Sequence, residues 1–248
     1  MRTIGVIPSR WGSTRFPGKS LAPICGRPLV AWVADAVRSA RGLDEVIVAT
    51  DDDRIAAAAR ACGVAVAMTP SDLPSGTDRV AAAANPGDDD IVINIQGDEP
   101  LIDPALIESL AARLRTGGAY QMATAACPIT ARDELESRSV VKVVCDADGG
   151  ALYFSRLPIP CRRDGEPDFG QRLYWRHVGI YAYRGAFLKR LVREPPCALE
   201  RCESLEQLRA LHLGGRIAVL QTTHAGCGVD TPEDVARVEA EMRRRKVC

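Results

Sequence analysis

No stretch of this chain approaches the roughly 20 consecutive apolar residues that a helix needs to cross a bilayer. The first residues also lack the apolar segment and small-residue cleavage site of a secretory signal. Neither sign of charge dominates: 32 Lys and Arg face 32 Asp and Glu, which leaves no general positive field for nucleic acid or an anionic membrane. Any anion site must be local. Cys-x-x-Cys is missing, and Cys197 and Cys202 have no histidine at zinc-finger spacing. The nine cysteines are expected to be reduced thiols rather than a disulfide framework, and their odd number leaves at least one unpaired. Two nucleotide signatures are absent as well. Without Gly-x-x-x-x-Gly-Lys-Ser/Thr a P-loop NTPase is disfavoured, and without Gly-x-Gly-x-x-Gly a dinucleotide oxidoreductase is too. With no repeat, low-complexity tract or linker, one domain over residues 1–248 is expected.

What is present is an alternation of strand and helix patterns. Apolar runs at 3–8, 46–49, 64–68 and 91–95 are separated by helical spacing at Leu29, Val30, Val33, Ala34 and Val37, at 55–62, at 78–84 and after Asp103-Pro104. This order predicts a parallel sheet covered on both faces. The second half differs. Val140 to Cys145 and Ala151 to Ser155 flank Asp146-Ala147-Asp148-Gly149-Gly150, a hairpin signal, and 158–172 reads as a long loop. Strands are expected at 177–183 and 217–221, and helices at 204–212 and 231–245.

Behind the first strand lies Arg10-Trp11-Gly12-Ser13-Thr14-Arg15-Phe16-Pro17-Gly18-Lys19. Cationic side chains and glycine amides on a loop after a buried strand suit a polyphosphate. Gln96-Gly97-Asp98-Glu99-Pro100 follows the most apolar strand, at the sheet edge where ligands of open α/β sheets gather. Magnesium takes one or two carboxylates with phosphate oxygens, which makes Asp98 a candidate ligand. Asp230, after a glycine-rich turn, is either a second ligand or a helix-start carboxylate. Asp51-Asp52-Asp53 and Asp88-Asp89-Asp90 read as caps and turn residues. His177 reads as either a ligand or a core histidine, and Arg156 as either a ligand or a surface residue.

The ordered blocks Arg10 to Lys19, Ala49-Thr50-Asp51, Ser75-Gly76-Thr77-Asp78-Arg79, Asn94 to Pro100, Tyr153-Phe154-Ser155-Arg156, Arg176-His177-Val178-Gly179-Ile180-Tyr181, Leu205-Glu206-Gln207-Leu208-Arg209 and Gly228 to Asp234 resemble the 3-deoxy-manno-octulosonate (KDO) cytidylyltransferases. They cover nearly the whole chain. The resemblance implies a Rossmann-like α/β fold of the nucleotide-diphospho-sugar transferase type: a mixed, mostly parallel sheet flanked by helices, with an inserted β-hairpin layer. It also implies transfer of CMP from CTP to KDO with Mg2+, in a cytoplasmic homodimer serving lipopolysaccharide synthesis, with no nucleic acid or membrane partner. Residues 1–130 would bind CTP, 131–225 the sugar and a second subunit, and 226–248 would supply a metal aspartate and closing helix.

By the same resemblance, Pro8, Arg10, Ser13, Arg15, Lys19, Ser75, Gly76 and Arg79 would bind CTP. Gln96, Arg156, His177, Tyr181, Glu203 and Gln207 would face the sugar. Asp98 and Asp230 would hold the metal and, with Lys19 and Arg15, form the catalytic set. Glu203 and Gln207, four apart, are expected on one helix face. Ser9 stands where the family usually has alanine and Cys161, beside the sugar loop, where an aromatic is frequent, which leaves the exact acceptor open: the nearest rival is a cytidylyltransferase for another acid sugar, and a rival of a different class is an inactive nucleotide-sensing module.

Overall fold

The computed structural model describes residues 1–13, 15–223 and 226–248; Thr14 of the basic loop lies outside the described residues. β1 (Thr3–Pro8) leads into that loop, a 3-10 turn at Lys19–Leu21, and a short hairpin of β2 (Pro23–Ile24) and β3 (Arg27–Pro28). α1 (Leu29–Arg38) buries Leu29, Val30, Val33, Ala34 and Val37, the stripe its 3.6-residue spacing predicts. β4 (Glu45–Thr50), α2 (Asp53–Ala61), β5 (Ala65–Met68), α3 (Gly76–Ala84), β6 (Ile91–Asn94) and α4 (Pro104–Arg115) continue the alternation. Asp52, Ser75 and Asp103 cap α2, α3 and α4 by accepting backbone N–H groups of the first turns. Asp90 accepts from the Arg2 amide at 2.7 Å, and Asp88 pairs with Lys189.

The second half contains β7 (Met122–Pro128), α5 (Arg132–Glu136), the expected hairpin of β8 (Lys142–Cys145) and β9 (Ala151–Ser155), then β10 (Trp175–Arg184) and α6 (Gly185–Arg193). α7 (Ala198–Glu203), α8 (Gln207–His212), β11 (Ile217–Gln221) and α9 (Asp234–Arg244) complete the order. The strands form one sheet in the order β11-β7-β10-β6-β1-β4-β5, with β8 paired to β10 and β9 to β8. β1 runs parallel to β4 and β6, β4 to β5, and β7 to β11, while β10 is antiparallel to β6, β7 and β8. The sheet is therefore mixed and mostly parallel, with the hairpin attached through β10. One apolar layer packs α1, α2, α4 and α9 on one face, through Val33, Ile55, Leu110 and Val238. The other packs α3, α6 and α8 through Val80, Leu188 and Leu208.

Two local expectations are corrected. The helix expected over 204–212 is broken: Ser204 takes a left-handed conformation (φ 53) that ends α7, and α8 starts afresh at Gln207. Glu203 and Gln207 therefore belong to different elements and share no helix face. The second correction concerns the thiols. Cys25 and Cys248 form a disulfide across 223 positions, with their Cα atoms 6.3 Å apart. α9 returns its end to the β2–β3 turn, where Glu239 also accepts from the Cys25 amide at 2.7 Å. The other seven cysteines are free.

Candidate active site

A cavity of about 710 Å³ opens at the carboxyl ends of β1 and β6, the sheet edge where ligands of such folds collect. Its floor is a tight crossing of two strand ends. A Cβ added at Gly97 would meet the Pro8 carbonyl at 2.6 Å and Ser9 Oγ at 2.9 Å, so only glycine lets these backbones touch. Ser9 is buried there, and its hydroxyl has no hydrogen-bond partner among the described residues.

The basic loop forms one wall. Trp11 organises it: its carbonyl accepts from the Ser13 and Gly18 amides, its own amide donates to Asp51 Oδ1 at 3.1 Å, and the Arg54 guanidinium lies 3.3 Å from the ring centroid. Gly18, at φ 70, passes beneath the indole, where a Cβ would come within 2.7 Å of the ring. Pro8, Arg10, Ser13, Arg15 and Lys19 all line the cavity. Arg10 engages no carboxylate among the described residues, which leaves its charge available to an anionic ligand.

Lys19 stands at the centre. Its ammonium donates to Asp98 Oδ2 at 2.5 Å and to the Val229 carbonyl at 3.1 Å, and lies 3.6 Å from Asp230 Oδ1. Arg15 reaches Asp230 at 3.0 Å. Asp230 does not cap α9; its side chain turns to these cations while Asp234 accepts the amides of Asp230 and Thr231 at 2.9 Å each. Burial holds the Asp98 carboxyl above the ordinary carboxylate value, against the pull of Lys19. Two carboxylates that share one ammonium converge on one spot with hard oxygen donors, which suits Mg2+. Among the described residues no group of three or more His, Cys, Asp or Glu gathers to hold a metal, so an ion here would rest on these two carboxylates plus ligand oxygens.

Ser75, Gly76 and Arg79, at the start of α3, line the next wall. Arg79 is 3% exposed; it donates to Thr69 Oγ1 and to Asp51 Oδ2, the latter at 3.3 Å. Asp51 thus binds both the phosphate loop and the α3 arginine. It is a structural bracket between the two walls.

The opposite wall comes from β10, where His177, Gly179, Tyr181 and Tyr183 alternate into the cavity beside Gln96 and Gln207. Val178 pairs with Ala125 but Tyr181 pairs with Thr124, which leaves Gly179 and Ile180 as an irregularity. Such bulges re-aim side chains near sites. The His177 and Tyr181 rings lie 5.3 Å apart. Thr124 Oγ1 donates its one proton to the Ile180 carbonyl at 2.8 Å and is 2.9 Å from His177 Nε2, so Nε2–H donates to it and Nδ1 is left as an acceptor. Burial lowers the histidine pKa to about 3, so the ring is neutral, and burial raises the Tyr181 phenol well above its usual value. Gln207 is buried, and its Nε2 has no partner among the described residues.

Arg156 and Glu203 do not line this cavity. They bind each other instead: the Arg156 amide donates to Glu203 Oε2 at 2.9 Å and its Nε to the Glu203 carbonyl at 2.7 Å, while Ser155 holds Oε1 at 2.8 Å. The carboxylate that does reach the cavity is Glu206, which accepts from Thr77 Oγ1 at 2.6 Å. Reading 204–212 as one helix concealed it, because only the break at Ser204 turns Glu206 inward.

Residues 4–217 match the family model described as cytidylyltransferase. A 3-deoxy-manno-octulosonate cytidylyltransferase of Bdellovibrio bacteriovorus is 50% identical over 240 residues, spanning 96% of this chain and 97% of the relative. The enzyme of the same name from Geobacter sulfurreducens is 47% identical over 98% of this chain and its own full length. A solved structure of CMP:2-keto-3-deoxy-manno-octonic acid synthetase complexed with CTP superposes with a TM-score of 0.92 at 41% identity, covering 99% of this chain and 100% of that one. A cytidylyltransferase from Leptospira borgpetersenii, with a TM-score of 0.66 and 17% identity over 98% of this chain and 87% of its own, shares the fold. The basic loop, Asp98, Asp230 and the β10 wall therefore sit in a chain that belongs to the 3-deoxy-manno-octulosonate cytidylyltransferase family.

Proposed function

We propose that this protein transfers CMP from CTP to the anomeric hydroxyl of KDO and releases pyrophosphate. The observation that carries this reading is the meeting, in one cavity, of Lys19 between Asp98 and Asp230 with a neutral hydrogen-bonding wall of His177, Tyr181 and Gln207. One side is built for polyphosphate and the other for a polyhydroxylated acceptor.

The chemistry is an in-line displacement. The anomeric oxygen forms a bond to the α-phosphorus, the bond from that phosphorus to the bridging oxygen breaks so that pyrophosphate leaves, and the hydroxyl proton passes to solvent water. Arg15 and Lys19 neutralise the charge that accumulates on the departing pyrophosphate. Ser75 and Gly76 seat the nucleoside at the start of α3. His177 Nδ1 accepts a hydrogen bond from a sugar hydroxyl, and the Tyr181 hydroxyl, kept protonated by burial, donates one. Asp98 and Asp230 would hold Mg2+, which supplies charge neutralisation at the α-phosphate and lowers the pKa of a hydroxyl bound beside it.

The active unit we propose is a homodimer joined through the hairpin side. Leu152 on β9 is 60% exposed, Leu157 54% and Leu173 47%, exposed apolar side chains in and after the hairpin that a second copy would cover. We place it in the cytoplasm, where CTP is made, feeding lipopolysaccharide assembly. Pyrophosphate release from CTP, Mg2+ and KDO, with UTP and ATP in place of CTP and other acid sugars in place of KDO, tests the reading. Release only with another acid sugar would replace the acceptor, and tight CTP binding without turnover on any acceptor would leave a sensing module.

A further inference from the structure

The nucleotide wall and the acceptor wall meet at the side chain of Thr77. Ser75 Oγ accepts from the amides of Thr77 and Asp78 at 3.1 and 3.2 Å, and it donates to Asp78 Oδ2 at 2.7 Å, so the first turn of α3 is fixed from within. Thr77 is 6% exposed, and its hydroxyl points away from this cap. It donates to Glu206 Oε2 at 2.6 Å, a charge-assisted bond between residues 129 positions apart.

Glu206 occupies the short link between α7 and α8 as the N-cap of α8, where its carbonyl accepts from the Arg209 amide at 3.0 Å and its side chain is free to turn to Thr77. Behind the pair lies Tyr183, 2% exposed, whose hydroxyl faces the side chains of Thr77 and Asn94. Burial and the nearby Glu206 charge keep that phenol protonated. Asn94 is buried at the end of β6, and its Oδ1 has no partner. All four residues line the cavity.

We propose that Thr77 is a positioning residue that holds Glu206 for the acceptor and couples the nucleotide turn to the acceptor wall; this rests on the cytidylyl-transfer reading above. With Oε2 taken by Thr77, Oε1 is the oxygen left to accept from a hydroxyl of the acceptor. A carboxylate so placed repels the carboxylate of an acid sugar and directs the polyol end towards itself. Because Thr77 follows Ser75 and Gly76 directly, a nucleotide that settles the start of α3 also settles Glu206.

The test is a KM-against-KM split in steady-state assays with CTP and KDO. Thr77→Val should raise the KM for KDO roughly tenfold, the loss expected for a hydrogen bond to a charged group, and change the KM for CTP by less than about twofold. Thr77→Ser, which keeps the hydroxyl, should restore the KDO KM to within about threefold. In a Glu206→Gln background, Thr77→Val should add less than about twofold, because the two side chains act as one unit. Should Thr77→Val melt below the assay temperature, Thr77→Ala read against Thr77→Ser decides in the same way. Equal rises in both KM values, failure of the serine rescue, or effects that multiply independently in the double variant would overturn the proposal. No turnover of KDO by the wild-type protein would instead overturn the functional reading on which it stands.

Discussion

Lys19 Nζ lies 2.5 Å from Asp98 Oδ2 and 3.6 Å from Asp230 Oδ1, so a single ammonium joins the phosphate loop, the end of β6 and the segment before α9. Three distant parts of the chain meet there. The pair with Asp98 is the sheltered one, with side chains 17% and 21% exposed, whereas Arg15 and Asp230 are 66% and 50% exposed. Screening by solvent leaves the outer pair little structural value.

Asp98→Asn keeps the shape and removes the charge. With saturating CTP, Mg2+ and KDO, kcat should fall by ~10²- to 10³-fold, the scale for removing one electrostatic contributor to a phosphoryl transition state. Lys19→Met should fall by a similar factor. Near-normal turnover of Asp98→Asn at saturating Mg2+ would remove the metal assignment.

His177 sets a pH expectation. Its pKa falls from 6.5 to about 3 in the folded chain through desolvation of the half-buried ring, so between those values the unfolded chain binds a proton that the folded chain does not. Stability from this group is present above pH 6.5 and declines as the pH drops towards 3. His177→Gln should flatten that part of a plot of unfolding free energy against pH. An unchanged slope would mean the ring is protonated in the native state.

Ser9 offers a stability gain. Its buried hydroxyl is unpartnered under Gly97, and removing an unsatisfied group should stabilise the ligand-free protein. Ser9→Ala is expected to add about 1 kcal/mol, or roughly 2–4 °C in Tm, by thermal unfolding. A lower Tm would mean the hydroxyl has a partner.

The alternation of strands and helices was legible because Ile91-Val92-Ile93 and the α1 stripe carry strong periodic signals, and Asp52, Ser75 and Asp103 mark helix starts. β7 was not. Met122-Ala123-Thr124-Ala125-Ala126-Cys127 is buried on both faces and rich in alanine, which removes the period-2 pattern and the usual strand composition. α6 was missed although Phe187, Leu188 and Leu191 form its buried stripe, because it follows β10 without a turn signal. In the site, the loop, Asp98, Asp230 and the β10 residues could be named from motif and strand-end position. Glu206 could not, since a serine in left-handed conformation gives no warning of the break that turns it inward. The Cys25–Cys248 link is a tertiary fact that cysteine spacing does not encode.

The central claim is that this cavity joins CTP to KDO, and pyrophosphate release from the wild-type protein with CTP, Mg2+ and KDO measures it most directly. Release should require all three components, with CTP preferred over UTP and ATP. Release that is indifferent to KDO, or no release with KDO under conditions where CTP binds, would contradict it.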